Sequence, residues 1–184
     1  MCKLPKLLLH ICCGPDATAV VEELRLEYEV IGFFHNPNIY PATEYRRRFE
    51  VVEKVAECMN FKLEVADYDP EKWFAVTKGW ENEPEKGERC KICFEYNLKA
   101  TADYAKNKAI DFFTTSLTIS PHKNSEQILR VGEKVSGNTG GNFLARNFKK
   151  RDGFKHSLEF SRKWGLYRQR YCGCRYSLRE RSYA

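Results

Sequence analysis

The sequence predicts an α/β protein with a mostly parallel sheet flanked by helices. Short apolar runs that suit buried strands alternate along the chain with longer amphipathic stretches that suit helices, and this alternation is typical of parallel sheets. The first apolar run, residues 7–11, is followed at Gly14-Pro15 by residues that interrupt a strand. The chain has 184 residues, against roughly 150 for an average domain, so we expect a single α/β domain over residues 1–184.

Hydrophobic periodicity and capping residues place the predicted elements along the chain. Buried strands are predicted over residues 7–11, 30–34, 62–65 and 111–117, with a short fifth strand over 142–147. Helices are predicted from 16 or 18 to 28 and over 43–59, 70–77, 90–108, 120–137 and 153–164. Ligands bind beyond the carboxyl ends of parallel strands, which predicts a shared rim formed by residues 12–16, 35–38, 67–69 and 116–122.

The composition excludes several classes of protein. A hydrophobic fraction of 42% is that of a globular chain rather than a disordered one. No stretch approaches the roughly 18 apolar residues of a membrane span, so no membrane partner is expected. The N-terminal run Leu7-Leu8-Leu9 is too short for the core of a signal peptide. We therefore expect a cytoplasmic protein.

Positive charge is concentrated near the C-terminus. Residues 146–184 contain twelve Lys or Arg and three acidic residues, a net charge of +9, whereas the whole chain carries +6. A basic segment on a nearly neutral body indicates a polyanionic partner, and a solvated basic surface is the alternative. We expect this segment to be helical and to complete the site. Its candidate RNA-binding residues are Lys149, Lys150, Arg151, Arg168, Arg170 and Arg175.

Eight cysteines are the most unusual feature of the composition, and six of them fall in three close pairs. The pairs are Cys12-Cys13, Cys90-x-x-Cys93 and Cys172-Gly173-Cys174. In a cytoplasmic protein such pairs indicate metal binding or redox chemistry rather than structural disulfides. Four thiolates suit an iron–sulfur cluster or Zn²⁺, and redox disulfides without metal are the third interpretation.

Two observations weigh against a zinc site that only stabilises the fold. Adjacent cysteines such as Cys12 and Cys13 are poorly arranged to bind one tetrahedral ion, and six thiols exceed the four that such a site uses. Cys172 and Cys174 are then the remaining pair. They are predicted either to form a strained, redox-active disulfide or to bind a second metal ion together with Cys13 or Asp16.

Longer motifs surround these cysteines. They are Cys12-Cys13-Gly14-Pro15-Asp16, Arg89-Cys90-x-x-Cys93-Phe94 and Tyr171-Cys172-Gly173-Cys174, with Asn36-Pro37-Asn38-Ile39, Tyr45-x-x-Arg48, Thr115-Ser116-Leu117 and Ser120-Pro121-His122-Lys123-Asn124 between them. Together they resemble the QueH-type epoxyqueuosine reductases, the cobalamin-independent enzymes of tRNA queuosine synthesis. The resemblance extends from about residue 6 to 178.

This resemblance implies reduction of the epoxide of epoxyqueuosine at the wobble position of tRNA to give queuosine. It implies a [4Fe-4S] cluster bound by Cys12, Cys13, Cys90 and Cys93. Cys172 and Cys174 look like a redox-active pair or like ligands of an adjacent metal ion, an iron. The implied fold resembles that of the adenine-nucleotide α-hydrolase-like, or HUP-like, proteins. Those proteins have a phosphate-binding Ser-Gly-Gly turn at the place that Cys12-Cys13 occupies in this chain. The implied partners are tRNA, through its anticodon loop, and an external electron donor.

Conversion of an epoxide to an alkene takes two electrons, two protons and loss of the oxygen as water. Asp16 is the candidate proton donor to that oxygen. The alternative interpretations are that Asp16 binds a second metal ion or that it caps a helix. A wobble base is read in a single-stranded loop, where aromatic and Arg side chains stack on bases. Aromatic residues interleave with the basic ones, and several must belong to the core: Phe148, Phe154, Trp164, Tyr167, Tyr171 and Tyr176.

Two other functions stay open at this stage. One is a tRNA sulfur transferase that works through a cysteine persulfide, which would need ATP or another activator. The sequence shows no Gly-rich phosphate loop for it. The other is a zinc-stapled tRNA-binding module without catalytic activity.

Overall fold

A computed structural model describes residues 3–182, with side chains described as far as Leu178. Four parallel strands form one sheet in the order β3-β2-β1-β4. The strands are β1 (Lys6–His10), β2 (Glu29–Phe34), β3 (Lys62–Val65) and β4 (Phe112–Thr115). The predicted fold class, a parallel sheet flanked by helices, is confirmed.

Helices connect the strands and cover both faces of the sheet. They are α1 (Gly14–Leu24), α2 (Ala42–Met59), α3 (Pro70–Val76), α4 (Glu88–Asn107), α5 (Ser125–Thr139), α6 (Gly153–Trp164) and α7 (Arg175–Ser182). Within residues 3–182, none of these helices is both long and apolar enough to cross a membrane. The sequence predicted the first six individually and α7 only as part of a helical C-terminal segment, without its bounds.

The central strand β1 separates two hydrophobic cores. Leu7 and Leu9 point to one face of the sheet, where they pack with residues of α1 and α2. Leu8 points to the other face and packs with residues of α4 and α5. All three leucines are fully buried. Successive strand side chains point to opposite faces, so a continuous apolar run is what a strand covered on both sides requires.

The region after β4 differs from the prediction. The strand stops at Thr115, whose side-chain oxygen accepts a hydrogen bond from the amide of Leu117 (3.1 Å), and a 3₁₀ turn over Ser116–Ile119 follows. The predicted fifth strand is reduced to a single parallel bridge between Phe113 and Phe143. Two backbone hydrogen bonds support this bridge, from the amide of Phe113 to the carbonyl of Asn142 (2.9 Å) and from the amide of Leu144 to the carbonyl of Phe113 (2.8 Å).

Helix α5 begins later than predicted. The sequence placed its start at Ser120-Pro121, but the helix starts at Ser125, where the side chain of Asn124 accepts a hydrogen bond from the amide of Gln127 (3.1 Å). Asparagine is a preferred N-cap because its side-chain oxygen satisfies one of the unpaired amides of the first turn. His122 and Lys123 are therefore in a loop at the carboxyl end of the sheet.

Gly14, the residue after the first cysteine pair, gives a direct test of the packing of α1 against α2. A Cβ at Gly14 would lie 2.7 Å from the carbonyl oxygen of Val51 on α2. We expect Gly14→Ala to lower the free energy of unfolding by about 1–3 kcal/mol, since backbone must move to make room. Urea denaturation followed by circular dichroism measures this change.

Gly137 supplies the matched control. It lies inside α5 with no atom near the position of an added Cβ. Gly137→Ala should leave the stability unchanged or raise it by up to about 1 kcal/mol. Equal shifts of the urea midpoint in the two variants would contradict close packing of α1 against α2.

Candidate active site

A cavity of about 460 Å³ lies at the carboxyl edge of the sheet. Residues that follow β1, β2 and β4 line it, among them Cys12, Asn36 and Ser120, as the parallel topology predicts. Residues 67–69, which follow β3, do not line it, because β3 is an edge strand separated from β1 by β2. The other lining residues come from α1, α2, α4 and α6, from Glu85 before α4 and from the segment between α6 and α7.

The three cysteine pairs meet around this cavity. Cys12, Cys93 and Cys172, one from each pair, line it. Cys90 lies in an adjoining small cleft that also contains Cys172. Cys13 and Cys174 are buried behind their partners, and all six cysteines are free thiols. The convergence of residues separated by up to 160 positions is what the spacing of the motifs predicted.

The Cys12–Cys13 pair sits at the N-terminus of α1. Cys13 caps this helix in an extended conformation, and the two sulfur atoms are 3.9 Å apart. Hydrogen bonding between them lowers the pKa of Cys12, and the same bond together with burial raises the pKa of Cys13. These sulfurs and a carboxylate oxygen of Asp16 lie within 4.8 Å of one another, a donor set that suits a metal ion.

Asp16 is held by a second charged group. Its carboxylate is 2.8 Å from Nη2 of Arg168, and the same guanidinium donates to the hydroxyl of Ser161 at 2.9 Å. Asp16 is almost fully buried, and no side chain caps α1. Its carboxylate therefore joins the first cysteine pair to the C-terminal segment instead of capping the helix.

The pair on α4 lies in the first turn of that helix. Burial raises the pKa of Cys90 to about 11 and the pKa of Cys93 well above its usual value. Both thiols are therefore protonated at neutral pH when no metal is bound, and a metal ion that binds them must displace the protons. Asn97 donates to the carbonyl of Cys93 (2.9 Å), and its Nδ2 lies 3.6 Å from the Cys93 sulfur.

Lys123 provides a positive charge inside the cavity. Its Nζ lies 3.1 Å from the sulfur of Cys172 and 5.7 Å from the ring centroid of Phe94. Burial alone would lower the pKa of Lys123, but the nearby sulfur groups of Cys172 and Cys12 raise it overall. The sequence presents Lys123 only within the motif Ser120-Pro121-His122-Lys123-Asn124, and its place directly after the rim predicted over residues 116–122 was the available signal.

The Cys172 segment is fixed by Arg48 of α2. This buried guanidinium pairs with Glu44 (2.7 Å) and donates to the carbonyls of Cys172 (3.0 Å) and Tyr171 (3.2 Å). Gly173 has φ +120°, and a Cβ there would lie 2.8 Å from Nη1 of Arg48. Only glycine permits this backbone so close to the guanidinium.

The candidate RNA-binding residues have different surroundings. Lys150, Arg151 and Arg170 are exposed, and Arg170 also lines the cavity. Lys149 donates to the carbonyl of Lys123 (2.5 Å), and burial lowers the pKa of Lys149. Arg168 is bound to Asp16, as described above. Arg175 lies with its guanidinium 4.0 Å from the ring centroid of Phe74.

The fold and the site together define a class of protein, a parallel α/β protein with a thiol-rich cavity at the carboxyl edge of its sheet. The family model of the epoxyqueuosine reductase QueH matches residues 7–180. The chain belongs to this family, which confirms the resemblance seen in its motifs, and it is therefore an enzyme, an oxidoreductase.

Curated relatives support the same assignment. The chain is 41% identical over 186 residues to the epoxyqueuosine reductase QueH of Acinetobacter baylyi, with 97% of this chain and 84% of the relative aligned. It is 40% identical to that of Streptococcus pyogenes, covering 94% of this chain and 70% of the relative. For Thermotoga maritima the identity is 35%, covering 95% and 91%.

Two solved structures share the fold. A predicted subunit of a tRNA methyltransferase from Methanocaldococcus jannaschii superposes with a TM-score of 0.56 at 13% identity, covering 83% of this chain and 74% of the other. The U34-tRNA thiolase NcsA from Methanococcus maripaludis, solved with its [4Fe-4S] cluster, gives a TM-score of 0.55 at 12% identity, covering 96% and 62%.

Arg48 is expected to be essential for the position of the third cysteine pair. Arg48→Ala leaves the mostly buried Glu44 carboxylate with the hydroxyl of Tyr167 but without its cation, and removes the donor to two carbonyl groups. Removing one partner of a buried ion pair costs about 3–5 kcal/mol. We expect a loss of this size in urea denaturation.

Arg46, on the same helix, provides the control because its side chain is exposed. Arg46→Ala should change the free energy of unfolding by less than about 0.5 kcal/mol. If Arg48→Ala were no more destabilising than Arg46→Ala, the contacts of Arg48 with the Cys172 segment would not contribute to stability.

Proposed function

We propose that this protein reduces the epoxide of epoxyqueuosine at the wobble position of tRNA to an alkene, giving queuosine. The relatives that match nearly the whole chain carry the name epoxyqueuosine reductase. The observation that carries the proposal is the convergence of Cys12, Cys93 and Cys172 on one cavity. A cavity of about 460 Å³ is within the range of small-ligand sites and can receive a nucleotide flipped out of its loop.

The thiols are suited to a [4Fe-4S] cluster, with Cys12, Cys13, Cys90 and Cys93 as its proposed ligands. The fit is supported by the donor set, which is soft and comes from two adjoining walls of the cavity. When bound, such a cluster would supply single electrons at low potential. Asn97, whose amide lies near the Cys93 sulfur, would orient that ligand and donate a hydrogen bond to it.

Cys172 and Cys174 have unequal positions, which bears on their proposed role as a redox pair or as ligands of a second iron. Cys172 faces the cavity beside Lys123. Cys174 is buried, and its sulfur is 3.5 Å from the hydroxyl of Ser177. This difference favours Cys172 as the member of the pair that meets the substrate or a metal ion.

Asp16 is proposed as a ligand of a second metal ion or as a proton donor to the epoxide oxygen. Its closeness to Cys12 and Cys13 favours the ligand role, because the three donor atoms already lie together. Its pairing with Arg168 holds the carboxylate in one orientation. Lys123 is the ammonium group among the residues that line the cavity, and it can donate a hydrogen bond to an oxygen that develops negative charge.

The overall reaction defines the partners. Each turnover consumes two electrons and two protons and releases one water, so an external electron donor must resupply the enzyme. The tRNA partner is proposed to dock through its anticodon loop, with Lys150, Arg151 and Arg170 facing its phosphates. A tRNA substrate places the reaction in the cytoplasm.

Metal analysis separates the proposal from a zinc-stapled RNA-binding module. Anaerobically purified protein should be brown and contain about four irons and four sulfides per chain. Cys93→Ala should lose most of that iron and the reductase activity. Cys58→Ser, which changes an exposed thiol on α2, should keep both. A colourless protein with one zinc and no sulfide would contradict the proposal.

The salt dependence of RNA binding tests the docking surface. Replacing Lys150 and Arg151 together by Gln should reduce the slope of log Kd against log salt for an anticodon stem-loop by roughly one to two, because each phosphate contact releases bound counterions. Fluorescence anisotropy at several salt concentrations gives the slope.

Lys106 and Lys108 serve as the charge-matched control, since both are exposed at the far end of α4. The Lys106→Gln, Lys108→Gln variant should keep the wild-type slope. If both double variants changed the slope equally, the basic segment would not be the docking surface.

A further inference from the structure

A partly exposed aromatic surface lies beside the cavity. Two of its three residues lie outside the basic segment 146–184, and the third, Arg175, belongs to it. Tyr40, just before α2, is 41% exposed, and Phe74 of α3 is partly exposed beside it, with ring centroids 6.2 Å apart. The guanidinium of Arg175 lies 4.0 Å from the ring centroid of Phe74. We call these three residues the Tyr40–Phe74–Arg175 surface.

Hydrogen bonds attach this surface to the wall of the cavity. The amide of Tyr40 donates to the carbonyl of Gly173 (2.7 Å), and the hydroxyl of Tyr171 donates to the carbonyl of Tyr40 (2.7 Å). Tyr171 and Ile39 both line the cavity. A group bound on the Tyr40–Phe74–Arg175 surface is therefore held in a fixed position relative to a group inside the cavity.

Packing explains the neighbouring aromatic residues fully and Phe74 only in part, since Phe74 stays partly exposed although it packs against Trp73 (ring centroids 5.5 Å apart). Trp73 and Tyr176 are buried and in contact, with centroids 5.8 Å apart, so they form a small core under α3 and α7. Tyr40 is 41% exposed, although its backbone amide and carbonyl are both hydrogen-bonded. Exposed aromatic rings beside a binding site indicate contact with a ligand more often than isolated exposed residues do.

The charge of this surface favours an anion. Arg175 forms no ion pair with the described residues, and its hydrogen bond is a long one, 3.5 Å, to the hydroxyl of Tyr176. Glu81 is near enough for Arg175 to contribute to the lowered pKa of that carboxyl, after the backbone hydrogen bonds of Glu81. The guanidinium thus keeps donors free for a phosphate, which it binds well.

We infer that the Tyr40–Phe74–Arg175 surface stacks a nucleotide adjacent to the modified wobble nucleotide, with Arg175 facing the phosphate that joins them. The inference rests on the proposed function and adds recognition of a second nucleotide of the anticodon loop. Aromatic rings next to a free guanidinium match a base followed by its phosphate, and single-stranded RNA is read in this way. An apolar protein partner would offer no acceptor for the guanidinium of Arg175.

Affinity for an anticodon stem-loop RNA, measured by fluorescence anisotropy at constant salt, tests the inference. Tyr40→Leu and Phe74→Leu remove a ring while keeping apolar bulk, and should weaken binding by about 5- to 150-fold, the range found when one stacking contact is lost. Tyr40→Phe keeps the ring and should bind within about two-fold of wild type. Leu26→Ala, which alters a 79% exposed side chain after α1, should bind like wild type.

A second arm changes the RNA and leaves the protein intact. Stem-loops with an abasic site immediately 5′ or 3′ of the wobble nucleotide are compared with the complete loop. Wild-type protein should bind one of the two abasic stem-loops about 5- to 150-fold more weakly than the complete stem-loop. The Tyr40→Leu protein should bind that abasic stem-loop and the complete one with equal affinity. Additive losses from the two changes, or wild-type indifference to both abasic sites, would overturn the inference.

The outcomes separate this inference from the proposed function. If wild-type protein binds and reduces the modified stem-loop while both leucine variants behave like Leu26→Ala, the stacking surface is wrong and the reductase assignment stands. If wild-type protein neither binds nor reduces the stem-loop, the proposed function fails and the inference fails with it. Iron content and urea midpoints close to wild type in the leucine variants show that the cavity is intact.

Discussion

Two guanidinium groups hold the C-terminal segment over the carboxyl edge of the sheet, and the site depends on them. Arg48 binds the carbonyls of Tyr171 and Cys172, and Arg168 binds Asp16 beside the first cysteine pair. Burying a charge is costly unless its donors are satisfied, and both groups meet this condition through a carboxylate and neutral oxygens. The third cysteine pair is therefore held at the cavity by charged hydrogen bonds on the side of Cys172 and by the apolar cluster of Trp73, Cys174 and Tyr176 on the other.

This arrangement changes how the charge of the C-terminal segment should be interpreted. From the sequence, its net charge of +9 reads as a surface for a polyanion. In the folded chain, Arg168 and Lys149 use their donors inside the protein, and Arg175 lies against Phe74. Of the six candidate residues, Lys150, Arg151 and Arg170 are left exposed, and Lys155, Arg162 and Lys163 are exposed on α6. The number of phosphates that the segment can neutralise is thus smaller than its formal charge indicates.

The sequence predicted the strands and the cysteine motifs well because both are local signals. A run such as Leu7-Leu8-Leu9 identifies a doubly covered strand, and parallel topology then gathers the residues after β1, β2 and β4. It could not predict that Arg48 would bind a segment 124 residues away, since that contact depends on the fold. Nor did it predict Tyr40 and Phe74, because two aromatic residues far apart in sequence carry no joint pattern.

The site also has an electrostatic requirement that links its assembly to folding. Six thiols around one cavity can carry several negative charges once they are deprotonated or bound to metal. Lys123, Arg48 and Arg168 supply compensating charge, and each comes from a different part of the chain. Burial raises the pKa of the Cys90 and Cys93 thiols, and the positive charge of Lys123 opposes this rise. The charges around the cavity thus come from three separate segments of the chain, so the site is assembled only in the folded protein.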